Sequence, residues 1–372
     1  MLPRRAVLAG AASLLGACRR RRTYGFPGYA FVANEGGQAV AAVDLTAFAV
    51  ARHIHLDAPP TAVLAPVRGA SVFALTPTTG GLHEIDAASL WLKRSARIVP
   101  GGFLMRVAPD ESCIWVLGRN PGRLVQVDPG GLSPVAEIGL PEEPGSFDLA
   151  PDGAAGVVGF GASGRIVLID LRRRRLEKSI QASGRLGAVC FRSDGRCLLA
   201  PELDRRMLAV FDVADGGIVT RLPLAVKPEY YCFRSDGGQM FLSGEGMDAV
   251  VVVYPHKTPM VAETVLAGRE PRAMAVSRGA PDRLFVTNPP TGNVTILDIV
   301  SRRVIGVVPV GSEPCFVTTT PDSQYALVLN RASGDMAVIR VAGFTAKRGK
   351  LAPLFTMIPV GSRPAAVAVK AV

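Results

Sequence analysis

Seven polar residues in this 372-residue chain could do chemistry together: Arg119, Glu202, Arg205, Glu245, Asn288, Asn330 and Arg331. Each stands at or just after the end of an apolar run, where a strand gives way to a turn. Three guanidinium groups could hold an anion through paired N–H donors, and two carboxylates, Glu202 and Glu245, could pass a proton. Segments that lead into other apolar runs add Glu143, Arg185, Glu229, Arg269, Arg272, Glu313 and Arg363. If the fold brings these positions to one face, it suits a small polar or anionic ligand, or a partner protein.

Other chemistries lack their residues. The four histidines, His53, His55, His83 and His256, show no metal-ligand spacing, and His53 and His55 are expected on the exposed side of an outer strand. No Cys-x-x-Cys-His segment marks covalent haem attachment and no Gly-x-Ser-x-Gly marks a hydrolase elbow. No cofactor and no metal are therefore expected. Beyond Cys18 lie Cys113, Cys190, Cys197, Cys232 and Cys315, an odd number that cannot all pair internally. Cys190 and Cys197 are expected to oppose each other across the "FRSDGR" hairpin, as a disulfide or as two buried thiols.

The elements that position these residues repeat. Strands ending in Asp occur at Asp44, Asp86, Asp128, Asp170 and Asp212, each 42 residues from the next, and the register continues through Tyr254, Asp298 and Arg340. Ten residues earlier stands a second marker: Asn34, Thr76, Gly118, Phe160, Glu202, Gly244, Asn288 and Asn330. Pro-Asp or Ser-Asp turns such as "APDGA" and "FRSDG" lie between units. Four short strands per unit of this length make a β-propeller blade. Residues 29 to 372 give 43 residues per blade for eight blades and 49 for seven, which favours eight, with seven as the alternative. The expected fold is all-β, a single propeller of four-stranded blades, closed when Pro364 to Val372 supplies the inner strand that the first blade lacks. Extra residues within "AGFTAKRGKLA" are expected to lengthen a turn of the last blade. The recurring Asp is expected to cap turns, and the Asn to accept a left-handed turn backbone.

The stretch "LFVTNPPTGNVTILDIVSRRVIGVVPVG" resembles the YVTN family of propeller repeats, with "YAFVANEGGQAVAAVDL" and "YALVLNRASGDMAVIRV" as weaker copies. The resemblance implies the fold and leaves activity open, since similar propellers act as surface-layer proteins, binding proteins and enzymes. Two further resemblances imply alternatives: a hydrolase like the propeller lactonases, or a tetrapyrrole-handling protein like the eight-bladed cytochrome d1-type propellers.

The first 18 residues, "MLPRRAVLAGAASLLGAC", have a basic start and a short apolar stretch, the pattern of an export signal. "LGAC" resembles a bacterial lipobox, which implies lipidation of Cys18; residues 19 to 28 then form a basic tether. The net charge of +11 owes six units to Arg4, Arg5 and Arg19 to Arg22, and the remainder is interspersed in sign, which argues against nucleic acid. The expected protein is an extracytoplasmic lipoprotein of the periplasm or cell surface, held to the membrane by its anchor and acting as a non-catalytic binding or scaffold protein.

Overall fold

The computed structural model describes residues 25–279, 282–344 and 352–372. Eight antiparallel four-stranded sheets stand in a ring, and consecutive inner strands pack against one another around a central tunnel. The blade built on Gly28–Asn34 is blade 1; the others follow in chain order. Its inner strand is Pro364–Ala371, which pairs along the whole of Gly28–Asn34 and so joins the two ends of the chain. Cys18 and most of the tether lie outside the described residues, as does much of the lengthened turn of blade 8, where a short 3-10 turn at Val341–Phe344 is seen.

The second and third strands of each blade are almost wholly apolar because both of their faces are covered. Blade 7 shows this: Arg283–Asn288 is buried at every position, and Asn293–Asp298 at all but its ends. Facing residues of adjacent blades make one hydrophobic cluster per seam, eight in all. The outer strands alternate between exposed and covered residues, as an edge facing water should.

Each outer strand pairs with the third through a register shift, in all eight blades. The extra residue bends and twists the exposed edge, which hinders edge-to-edge pairing. The recurring Asp builds the turn that precedes the shift. Asp44 Oδ1 accepts N–H groups of Thr46 at 2.7 Å and Ala47 at 3.1 Å; Asp86 accepts Ser89 N–H at 2.7 Å, Asp212 accepts Ala214 at 2.7 Å and Asp298 accepts Ser301 at 2.7 Å. The last turn residue then takes a positive φ even where it is Phe48, Leu90 or Leu132.

These bonds have a consequence for acid stability. Backbone N–H donors of Ser89 and Arg173 hold Asp86 and Asp170 below the usual carboxylate range, and the Ser112 N–H does the same for Asp110 in the Pro-Asp turn between the first two strands of blade 3. A carboxyl whose folded pKa lies below its unfolded one stabilises the fold above the unfolded value and loses that contribution as pH falls through the folded one. Thermal denaturation followed by circular dichroism should show a plateau near neutrality and a falling midpoint below about pH 4; a midpoint unchanged to pH 3 would contradict the capping role.

Two expectations need correction. The Asn markers do not adopt a left-handed backbone: Asn288 has φ −122°, and neither Asn34 nor Asn330 is among the positive-φ residues. Their side chains fold under the loop that enters their own blade. Asn34 Nδ2 donates to Val360 O at 2.8 Å, Asn288 Nδ2 to Thr295 Oγ1 at 2.8 Å and to Asn293 Oδ1 at 2.9 Å, and Asn330 Nδ2 to Asp335 Oδ1 at 2.6 Å. The glycine of that loop lies directly over each amide, where a Cβ on Gly268 would come within 2.6 Å of Asn288 Nδ2 and one on Gly311 within 2.7 Å of Asn330 Nδ2.

The second concerns the cysteines. Cys190 opposes Leu199, and Arg192 closes the hairpin by donating its N–H to the Cys197 carbonyl, so Cys190 and Cys197 are two residues out of register for a bond. The Ser193 to Arg196 turn holds four residues between that closing pair, two more than a Cys190–Cys197 register would leave. All five described cysteines are free.

Candidate functional site

The ends of the second strands and the loops entering the inner strands form the upper face, with the tunnel at its centre. The seven candidates separate there into two groups. Arg119, Arg205, Glu245 and Arg331 lie on the surface or its margin. Glu202, Asn288 and Asn330 are fully buried, so they are not free to meet a ligand in this conformation. Glu202 Oε1 accepts the Ser183 N–H at 2.9 Å and lies 3.5 Å from Arg221 Nε; the two Asn serve the loop contacts described above.

The rim charges pair locally instead of converging. Arg119 Nε is 3.5 Å from Glu143 and its guanidinium lies 3.9 Å from the Phe103 ring centroid. Arg185 is 4.0 Å from Asp204, and Arg272 is 3.8 Å from Glu270. Arg331 and Arg363 share Glu35 across the seam between blades 8 and 1. Lys227 lies between Glu229 at 3.0 Å and Glu245 at 3.4 Å, beside a cleft of about 650 Å³ that also carries Asp248 and Arg272. Exposed pairs of this kind add little stability individually, but they leave the rim without a single-sign field.

The histidines stand away from the tunnel. His53 and His55 are exposed on the outer strand Ala49–His55, as expected. His83 is buried inside blade 2, with Nε2 3.1 Å from Asp57 and 3.0 Å from Thr76 Oγ1, and Nδ1 2.7 Å from Ser95 Oγ. Burial holds its pKa down against the pull of Asp57. His256 lies at a lower turn, 3.0 Å from Ser193 Oγ, while its other nitrogen is 4.0 Å from Asp194, a carboxylate already engaged by Arg192 through bonds of 2.9 and 2.7 Å. Among the described residues no group of His, Cys, Asp and Glu could hold a metal ion. No helix there is long and apolar enough to cross a membrane.

A second set of polar residues lies on the inner strands, with Cys190 and Tyr231 packed into the seam between blades 5 and 6. Arg106, Asp148, Cys190 and Tyr231 sit on the inner strands of blades 3, 4, 5 and 6, namely Gly102–Val107, Ser146–Leu149, Cys190–Phe191 and Tyr230–Phe233. An inner strand turns one edge of unpaired backbone groups toward the tunnel, and neighbouring side chains satisfy part of it. Ser146 Oγ accepts the Val189 N–H at 3.1 Å and Asp148 Oδ2 the Phe191 N–H at 2.9 Å, tying blade 4 to blade 5.

Burial raises the Asp148 carboxyl pKa, outweighing the Phe191 N–H and the Arg106 charge. Burial likewise raises Cys190 and Tyr231, which hydrogen-bond to each other. Arg106 bonds its own Met105 carbonyl at 3.1 Å and has no ion-pair partner among the described residues. Around the lower half of the tunnel, a cavity of about 580 Å³ is bounded by inner-strand residues of four blades, among them Phe233, Val276, Thr318, Val367 and Lys370, and by Arg278 and the Ala65 to Val67 segment of blade 2. None of this was anticipated, although Arg106, Asp148 and Cys190 stand 42 residues apart in the same register as the turn aspartates.

No protein-family model matches the chain. It is 26% identical over 134 residues to the seven-bladed beta-propeller protein Rv1057 of Mycobacterium tuberculosis, a match spanning 35% of this chain and 34% of that protein. Among solved structures it is similar to the dihydro-heme d1 dehydrogenase NirN in complex with DHE, with TM-score 0.76, 16% identity, and coverage of 92% of this chain and 75% of that one. Hydrazine synthase of Kuenenia stuttgartiensis is similar at TM-score 0.60 and 19% identity, covering 76% of this chain and 96% of that one. At these identities the likeness shows the fold, and the chain is an eight-bladed β-propeller.

Proposed function

We propose that this chain is a lipid-anchored, extracytoplasmic propeller that binds a ligand or partner and does not transform it. The observation that carries this reading is the state of its two candidate acid-base carboxylates. Glu202 is sealed beneath its blade while Glu245 lies in an open cleft beside Lys227, so the pair that a lactonase-like hydrolase would use does not share one site. The local pairing of the rim charges suits recognition, where complementary groups fix orientation.

The anchor rests on the "LGAC" segment and its resemblance to a lipobox, and the likeness to YVTN repeats is consistent with an exported protein. Phe26 N–H donates to Leu45 O at 3.2 Å on the lower face, on the opposite side of the propeller from the upper face and its tunnel mouth. Replacing Cys18→Ser should move the protein from the membrane to the soluble fraction of the compartment. Retention on washed membranes would contradict the anchor, and turnover of sugar lactones by the purified protein would contradict the non-catalytic role.

The likeness to NirN over 92% of the chain supports a second reading, a tetrapyrrole held at the tunnel. The residues present do not favour a histidine-ligated group, since none of the four imidazoles reaches the tunnel wall. A haem titration that leaves the Soret band unshifted would dismiss this reading.

A further inference from the structure

The lower mouth of the tunnel carries an unpaired cation, unlike the upper rim, where charges pair locally. Arg278 stands there, two residues beyond the inner strand Met274–Val276 of blade 7. We propose that this mouth binds a small phosphate monoester, its phosphate group on Arg278 and its apolar body along the inner strands. This rests on the binding reading above and names the ligand class.

The first argument is charge. Arg278 and Lys370 line the cavity of about 580 Å³, and no Asp or Glu is among the described residues that line it. Carboxylates of the neighbouring turns are already engaged. Asp322 accepts the Thr320 hydroxyl at 2.6 Å and the Gln324 N–H at 3.1 Å, Asp236 accepts the Gly238 N–H at 2.8 Å, and Glu111 holds the N–H groups of Val67 and Arg68. A cleft lined by one sign of charge concentrates ions of the other.

The second is the supply of unused donors. The Arg278 backbone N–H is fixed on Ser323 Oγ at 2.7 Å, whereas its guanidinium makes no hydrogen bond or ion pair among the described residues. Lys370 spends its three ammonium donors on the carbonyls of Pro66, Val67 and Arg68, so it contributes field and no direct bond. To either side of Arg278, the hydroxyls of Ser235 in blade 6 and Thr318 in blade 8 line the same cavity and also lack a partner among the described residues. A guanidinium fork flanked by two hydroxyls matches the three terminal oxygens of a phosphate monoester more fully than the two of a carboxylate. Finally, the cavity is within the size range of small-molecule sites, and Phe233, Val276, Val367 and Val369 give it an apolar side for an alkyl or aryl group.

The test is isothermal titration of the full mature protein with hexyl phosphate and phenyl phosphate, alongside inorganic phosphate, hexanoate and hexanol. The proposal expects at least one ester to bind about tenfold or more tightly than inorganic phosphate and hexanoate, and hexanol not to bind. Arg278→Gln should weaken the ester by about tenfold or more, and Thr318→Val by a smaller factor. Arg97→Gln, on the outer strand Trp91–Arg97, should leave it unchanged. Thermal melts confirm that each variant is folded. Undiminished affinity in a folded Arg278→Gln protein would overturn the site while leaving a binding role intact elsewhere on the propeller. Hexanoate or inorganic phosphate binding as tightly as the esters would overturn the ligand class. Failure of both esters to bind the wild-type protein would do the same without touching the binding reading, which a cargo found on the native protein supports independently.

Discussion

A chain ending at Arg363 should show no cooperative thermal transition. The nine residues removed contain the strand Pro364–Ala371, the inner strand of blade 1, which pairs with Gly28–Asn34 over its full length. Without it, that strand becomes an open edge, and Val367 is lost from the core of the seam between blades 8 and 1. The same strand carries the buried Lys370, whose ammonium donates to the carbonyls of Pro66, Val67 and Arg68, the last two at 3.0 and 3.3 Å. The N–H groups of Val67 and Arg68 are meanwhile taken by Glu111 of blade 3 at 2.8 Å each. Blades 1, 2 and 3 are therefore fastened through one short loop. Domains of ordinary stability have only about 5–15 kcal/mol to lose, and an opened ring exposes apolar strands on both sides of the gap. Lys370→Met alone, which leaves three carbonyls without their donor, should cost about 1–3 kcal/mol in a urea titration. A truncated chain that melts within a few degrees of the full one would show that closure by this strand is dispensable.

The second large effect is expected at Gly268. Its φ of +88° is a conformation that side chains rarely adopt, and an added Cβ would stand 2.6 Å from Asn288 Nδ2 and 2.8 Å from Thr295 Oγ1, both in a fully packed interior. Gly268→Ala should destabilise the protein by about 2–4 kcal/mol, from backbone strain together with the displaced amide. Gly139→Ala, where nothing lies within 4 Å of the new methyl group and φ is not positive, should change stability by less than about 0.5 kcal/mol. Combining Gly268→Ala with Asn288→Ala should recover part of the loss, because removing the amide vacates the volume the methyl group needs. Strict additivity in that double-mutant cycle would contradict the proposed contact.

The same contact explains why part of the architecture was readable in the sequence and part was not. Blade number and closure were legible because each blade must repeat the same turn chemistry, and Asp44 through Asp298 mark it at a nearly constant interval. The caps at Thr46, Ser89 and Ser301 are local, within three residues of their Asp, so sequence spacing alone identifies them. The role of Asn288 is not local in this sense: Gly268, which covers it, is 20 residues away on a loop whose path only the folded blade fixes. A turn motif does not fix turn length, so the two-residue offset between Cys190 and Cys197 is invisible in the sequence. The inner-strand set is harder still, since Arg106, Asp148, Cys190 and Tyr231 belong to four blades and come near one another only when those blades pack side by side. The common register of Arg106, Asp148 and Cys190 was the available signal, but the same register also aligns Leu64 and Ala368, which carry no polar chemistry, and it passes Tyr231 by one residue.

The most direct test of the binding role is native mass spectrometry of the mature protein isolated from its own membrane, with an absorbance spectrum of the same sample. The proposed account predicts a colourless protein whose mass includes a lipid at Cys18 and a non-covalent small molecule or second polypeptide that leaves on gentle activation. A lipidated chain that carries nothing else and turns over a lactone, or one that carries a coloured tetrapyrrole, would contradict it.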